Sequence, residues 1–416
     1  MSIRFGSQAD VVIAGAGPAG AIAALVLARA GARVIVFDRA RFPRRKLCGD
    51  TVNPGALALL RRLGLAAAAG SLVIPGMVVT GERIRIEGEY GGGITGRAIS
   101  REHLDFALVQ AASAAGAQVE EEVRVTGISH QDDGIDGLNI CTRAGLSETV
   151  RAPVVIAADG SYSRVARALG VARLARTPRR WAVGAYFADV EHTSPLGEMH
   201  IRRRKYIGVA QLPGGLTNVC VVSADRSLLR EPTLLLGETL RTEAVLRDRF
   251  VRARRVGPPA ILGPLAVDCS AAGAPGLLLA GDAAGFVDPM TGDGLRFTIR
   301  GAELAADEAL RALEHGWRDS HQRLASRRRR EFSTKWRFNR VLRRVFASPS
   351  GVDAAERAAA MLPWLAEHAI RYAGDLGAAR LYEDRRPVPN SEDQGWSHVA
   401  DACGEISSEL EERRRI

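Results

Sequence analysis

The chain has 416 residues, 46% of them hydrophobic, enough for two or three domains with sizeable cores or for one interleaved α/β fold. Its five cysteines, Cys48, Cys141, Cys220, Cys269 and Cys403, form no C-x-x-C pair, and its eight histidines are scattered, which argues against a disulfide scaffold, a zinc ribbon or a metal cluster and fits a reducing, cytoplasmic setting. The net charge of +10 is local, because ten basic residues face Glu331 alone between Arg323 and Arg344; a nucleic-acid binder, basic over a whole domain face, is disfavoured.

MSIRFGSQAD at the start shows no secretory signal. The apolar run Val11 to Ala30 has the length of a membrane span, but Gly15, Gly17, Pro18 and Gly20 break it into strand, turn and helix. Val11 to Ala14 is a buried strand, Ala21 to Ala30 a helix ended by Gly31, and Val34 to Phe37 a second strand. In this βαβ unit Gly15 permits the tight turn, Gly17 lets a pyrophosphate approach the backbone, and Gly20 lets the helix pack on the strand, with the helix N-terminus facing the anion. Asp38, at the end of the second strand, suits a ribose diol, which favours FAD or NAD. RIRIEG alternates at period two, so residues 72–97 read as an inserted strand pair. Val154 to Ala157 is a strand running into Asp159-Gly160 and a helix; Asp159 on its own reads as a cap. Trp181 to Val190, Lys205 to Leu212 and Asn218 to Ser223 add strands of an antiparallel sheet. Leu277 to Ala280 then repeats the strand-and-turn plan with Gly281-Asp282, before a helix over Leu295 to Ala309.

Three such units in this order resemble the FAD-binding flavoproteins of the p-hydroxybenzoate hydroxylase type, and within them the geranylgeranyl reductase-like branch, over about Asp10 to Asp307. The resemblance implies an α/β fold: a Rossmann-like FAD-binding domain (1–71, 98–177 and 268–315), an interleaved antiparallel-sheet substrate domain (72–97 and 178–267) and a C-terminal helical region (316–416). It places Gly15, Gly17, Pro18, Ala19 and Gly20 at the pyrophosphate and Asp38 at the adenosine ribose. Val125 would hold the adenine through its backbone, and Arg101 would stand beside the phosphate and ribityl chain, with a buried arginine bracing its helix start as the alternative. Asp159 and Gly160 match the Asp-Gly motif; Gly281 and Asp282 match the turn whose acid binds the ribityl chain. Pro289, Gly292, Gly294 and Leu295 form the loop and helix start aimed at a reduced flavin's negative charge, while Asp288 and Asp293 read as loop caps. The basic stretch beginning at Arg39 and leading to Lys46-x-Cys48-Gly49 matches the branch's loop beside the flavin ring, with Asp50 where an acid is common. Cys48 there is a lining residue rather than a chemical one; a small buried hydrophobe is its bland alternative.

The prenyl reductases carry a Tyr-x-Trp-x-Phe-Pro-like motif, whereas YIGVAQLP keeps Tyr206 and Pro213 and neither other aromatic; the halogenases' Trp-x-Trp-x-Ile-Pro motif is absent too. The expectation is an NADH- or NADPH-driven FAD oxidoreductase acting on a hydrophobic or aromatic small molecule, with hydroxylation ranked ahead of alkene reduction. A rival is a membrane-surface module with structural FAD, suggested by the basic segment 323–346. If FNRVLRRVF is helical, Phe338, Val341, Leu342 and Val345 share a face, able to rest on a membrane, although a helix packed on the sheet with a solvated basic face ranks first. The tail from Ser391 reads as a peripheral helix or frayed end.

Overall fold

The computed structural model describes residues 9–65, 70–132, 134–174, 179–377 and 379; the expectations for the first eight residues and for the tail from Ser391 fall outside this range. One half is built on a six-stranded sheet in the order Gly273–Ala274, Leu277–Leu279, Val154–Ala157, Val11–Ala14, Val34–Phe37, Gln118–Glu120. All pairs are parallel except the first. The central strands are apolar at every position because both faces are covered. Helices Pro18–Arg29, Arg101–Ala114 and Gly294–His315 close one face, and the antiparallel strands Val123–Gln131, Gly134–Thr142 and Ser147–Arg151 close the other. The first helix begins at Pro18, three residues before the expected Ala21, since Gly17 takes the cap position and proline is pre-set for the first helical turn. A Cβ on Gly20 would stand 1.8 Å from the Gly15 carbonyl oxygen, so only glycine allows this helix its depth.

The other half is a seven-stranded sheet in the order Arg254–Leu262, Trp181–Ala188, Leu216–Ser223, Lys205–Leu212, Gly197–Ile201, Gly76–Thr80, Arg85–Glu89. It is antiparallel apart from the parallel pairing of Gly197–Ile201 with Gly76–Thr80. The inserted segment differs from a single strand pair. Leu72–Ile74 and Gly96–Ala98 join Thr51–Val52 in a separate three-stranded sheet, and Pro75, which lacks a ladder donor, marks the break. Side chains alternate across the large sheet. Val183, Ala185, Phe187, Ile207, Val209, Val219 and Val221 pack under helix Pro232–Thr242, which leaves Tyr186, Gly208, Ala210, Asn218 and Cys220 on the opposite face.

Three helices follow, Ser320–Val345, Pro349–Met361 and Pro363–Ala373. The basic segment is helical, but the expected apolar face is corrected: its inward residues are Leu324, Arg328, Phe332, Lys335 and Asn339, while Val341 is 56% exposed. Buried carboxylates set this orientation, because they must be paired. Arg323 and Arg327 reach Glu308, Lys335 reaches Asp293 and Arg343 lies by Asp288, while Arg329, Arg330, Arg337, Arg340 and Arg344 stay exposed, so the expected basic face is solvated apart from Arg343. Among the described residues no helix is long and apolar enough to cross a membrane.

Candidate functional site

The three glycine turns meet at the carboxyl ends of the parallel strands, where open α/β sheets bind ligands. Gly15 has φ +94°, and a Cβ there would come within 2.6 Å of the Ala158 carbonyl, beside Asp159. Gly281, at φ +58°, meets the Ala19 side chain in the same way at 2.6 Å. Asp38 accepts from the Ala16 amide at 2.8 Å and the Ala40 amide at 2.9 Å, so its carboxylate braces the fingerprint turn at the point where a ribose would arrive. Its backbone carbonyl accepts from Val123, two residues before Val125 on the same strand. Arg39 is exposed.

Arg101 is buried and forms a two-pronged ion pair with Asp105 on the next helical turn, at 2.7 and 2.8 Å, and Arg44 joins Asp105 at 3.2 Å. This is the bracing role weighed above, and its electrostatic partners still include Cys48, Lys46 and Asp282. Asp159 caps Arg164 through Oδ2 at 2.8 Å, while its buried Oδ1 has no hydrogen-bond partner. Lys46 Nζ lies 3.9 Å from the Cβ position of Gly160. Burial, followed by the Arg101 charge, pushes the Lys46 ammonium below its ordinary value; burial raises the Asp282 carboxyl against Lys46, Arg101 and Arg328.

Past Asp282, Pro289–Thr291 forms a 3-10 turn, and a Cβ on Gly292 or Gly294 would enter open space at the start of the helix that buries Leu295. The reading of Asp293 as a cap is corrected. It makes no cap hydrogen bond, and its buried carboxylate instead accepts from Lys335 at 3.1 Å, Asn53 at 3.2 Å and Asn339 at 3.3 Å. Asp288 does brace its loop, accepting from the Met290 amide at 3.1 Å. It also takes the Tyr206 hydroxyl at 2.7 Å and pairs with Arg180 at 3.4 Å.

The loop from Arg39 presses Leu47 onto the large sheet, where a Cβ on Gly184 would be 2.4 Å from Leu47 Cδ1. Beyond it Asp50 turns inward in a left-handed conformation, φ 54°, and is 1% exposed. Its carboxyl accepts from the Tyr186 hydroxyl at 2.8 Å, Asn218 Nδ2 at 2.9 Å and the Arg101 amide at 3.1 Å. The Cys48 carbonyl accepts from Asn218 at 2.7 Å and from the Cys220 thiol at 3.0 Å. Burial pushes the Asp50 carboxyl up to about 7 despite these donors, and burial also raises the Cys48 and Cys220 thiols, which keeps both protonated. Beside Cys220 in the sheet register stands Gly208, whose Cβ would meet nothing within 4 Å. Two protonated thiols and a carboxyl that titrates near neutrality therefore border an open patch of sheet.

These residues fit FAD. A Cβ on Gly17 would meet only Arg44, at 3.4 Å, which leaves the backbone open to a pyrophosphate. Asp159 Oδ1 and Arg328 Nη1 are buried without hydrogen-bond partners, and Gly292 and Gly294 leave an uncovered helix start. Sequence reasoning missed Asp105, Arg328, Tyr186, Asn218 and Cys220. For Asp105 the signal is its i,i+4 spacing from Arg101, and for Asn218 the one amide side chain in a valine-rich strand.

The family model described as an FAD binding domain matches residues 8–233. The menaquinone reductase of Mycolicibacterium smegmatis is 32% identical, the match covering 72% of this chain and 76% of that protein. The digeranylgeranylglycerophospholipid reductase of Methanosarcina mazei is 29% identical, covering 74% and 76%. In fold, the chain is similar to a geranylgeranyl bacteriochlorophyll reductase-like protein from Thermoplasma acidophilum, with a TM-score of 0.73, 20% identity and coverage of 95% of this chain and 99% of that one. It is also similar to a flavin-dependent brominase, with a TM-score of 0.76, 20% identity and coverage of 91% and 98%. With its fingerprint turns convergent and its sequence matched, the chain belongs to the FAD-binding domain family and is an FAD-dependent oxidoreductase.

Proposed function

We propose that this oxidoreductase, driven by NADH or NADPH, saturates a carbon–carbon double bond in an isoprenoid chain. The observation that carries the reading is the Asp50 carboxyl, raised to about 7 and aimed from the cofactor half at the open sheet face. Reduction of an isolated alkene needs a hydride on one carbon and a proton on the other, and FAD, when bound and reduced, supplies the hydride. Asp50 holds the proton. Tyr186 and Asn218 fix the carboxyl's direction from the sheet, and the protonated Cys48 and Cys220 thiols line the space without competing for that proton. Gly208 leaves room for a bulky chain rather than barring one. The relatives named above, a menaquinone reductase and a digeranylgeranylglycerophospholipid reductase, act on molecules that carry such chains, which supports the reading.

Hydroxylation, ranked first from the missing aromatics, moves to second place, because a site of protonated groups suits proton delivery. A purely structural FAD gives no use to a carboxyl poised near neutrality. The test is to incubate the FAD-loaded protein anaerobically with a reductant and a prenylated quinone or prenyl-chain phospholipid. The product should gain two hydrogens per double bond. Unchanged substrate alongside reduced flavin, across both lipid types, would overturn the proposal.

A further inference from the structure

Where helix Pro349–Met361 meets helix Pro363–Ala373, Met361, Leu362, Pro363, Trp364 and Leu365 are all exposed in succession. The exposures of Met361, Leu362, Trp364 and Leu365 are 79%, 44%, 63% and 45%. A single exposed leucine is ordinary on any surface. Five successive apolar residues with a tryptophan among them mark an interaction site. Pro363, at the start of the second helix, fixes a sharp corner, so this apolar stretch is the tip of a helical hairpin.

The hairpin's other end is buried. Ile370 is 7% exposed and packs over Gly88 in a cluster with Ile74, Tyr90, Ala98 and Leu212, against which Tyr186 and Leu216 also lie. Tyr186 is the residue that bonds Asp50. One helix of eleven residues, about 16 Å long, thus joins the exposed tip to the apolar wall beside the site. The neighbouring helix Ser320–Val345 belongs to the same layer, with the Phe338 and Tyr372 rings 4.8 Å apart. Arg329, Arg330, Arg337, Arg340 and Arg344 are exposed on it, and Arg357 and Arg371 are exposed on the hairpin, where Glu367 is an opposing exposed charge.

We infer that Met361–Leu365 is a membrane-docking tip that enters the headgroup layer of an anionic bilayer while the arginines of the adjacent helix engage lipid phosphates. An apolar tip with a tryptophan, on a helical layer that also exposes these arginines, matches both layers of that interface, since indole prefers the boundary and guanidinium pairs with phosphate; a soluble acidic partner would satisfy only the arginines. The docked hairpin presents helix Pro363–Ala373 as the wall along which an isoprenoid chain passes from bilayer to Asp50. That route rests on the reductase reading, whereas docking does not.

The test is co-sedimentation of the full chain with vesicles of equal parts phosphatidylglycerol and phosphatidylcholine, beside pure phosphatidylcholine. Wild type should pellet with the anionic vesicles. A W364E/L365E variant should lose at least tenfold in partitioning while keeping its FAD content. R337E/R344E should bind weakly and become insensitive to salt. Wild type remaining in the supernatant at low salt, or W364E/L365E pelleting as wild type does, would overturn the inference. So would a fall in oligomer size in W364E/L365E without any change in vesicle binding, which would make the tip a contact between protein copies. Docking without alkene reduction would refute the reductase reading and leave the docking tip standing.

Discussion

Replacing Asp50 by Asn keeps the shape of the side chain but removes the proton. The carboxyl sits near 7 in the folded chain against 3.8 in the open one, so the wild-type site is mostly protonated below neutrality and loses roughly tenfold in protonated fraction per pH unit above it. If Asp50 is the donor, single-turnover reduction should be flat below about pH 6 and fall by about 100-fold by pH 9. Loss of a general acid lowers the rate by about 10²–10⁴-fold, and the variant should sit that far below the plateau with no pH dependence of its own in this window. Linkage gives a second readout. Because the folded pKa is raised, the folded state holds the proton more tightly, so the contribution is fully favourable below about 4 and is lost as pH rises towards 7. The three-unit shift bounds the loss at about 4 kcal/mol. Denaturant melts at about pH 5 and 8 should show this decline in the wild type and its absence in Asp50→Asn. Flavin absorbance read by stopped flow without oxygen supplies the rates. An Asp50→Asn enzyme that keeps the wild-type plateau and pH profile would refute the donor role.

Other substitutions probe separate parts of the site. Gly17→Val places methyl groups where the backbone must meet a pyrophosphate, so the protein should fold and stay colourless; normal FAD content on reconstitution would contradict the cradle. Gly208→Trp fills the open patch and should keep FAD while raising KM for a long prenyl chain at least tenfold; unchanged kinetics would mean that the substrate lies elsewhere. Lys335→Met strips the cation from buried Asp293 and should cost about 3–5 kcal/mol by denaturant melt, with a shift under about 1 kcal/mol counting against the buried pair.

The cofactor half was readable in sequence because its constraints are local. Gly20 has to be glycine so that a helix can rest on the turn at Gly15, five residues earlier, and VVIA and VIVF are fully apolar because both sheet faces are covered. The reaction side was not readable, because its partners are joined only by the fold. Asp50 meets Tyr186 and Asn218 across 136 and 168 positions, and neither residue belongs to a local motif. Asp293 misled for the same reason. Its place before a helix suggests a cap, whereas Lys335, 42 positions on, supplies the partner that decides its role. The inward pairing of Arg323, Lys335 and Arg343 on the basic helix was not readable because the buried carboxylates they meet lie on other elements.

The most direct measurement is a single turnover with pre-reduced, FAD-loaded protein and a prenyl-chain lipid, followed by flavin absorbance first without oxygen and then under labelled oxygen. Flavin reoxidation in step with formation of a product two hydrogens heavier, before oxygen is admitted and with no label in that product, is the result this mechanism requires. Flavin that stays reduced until oxygen enters, with one labelled oxygen atom then found in the product, would contradict it.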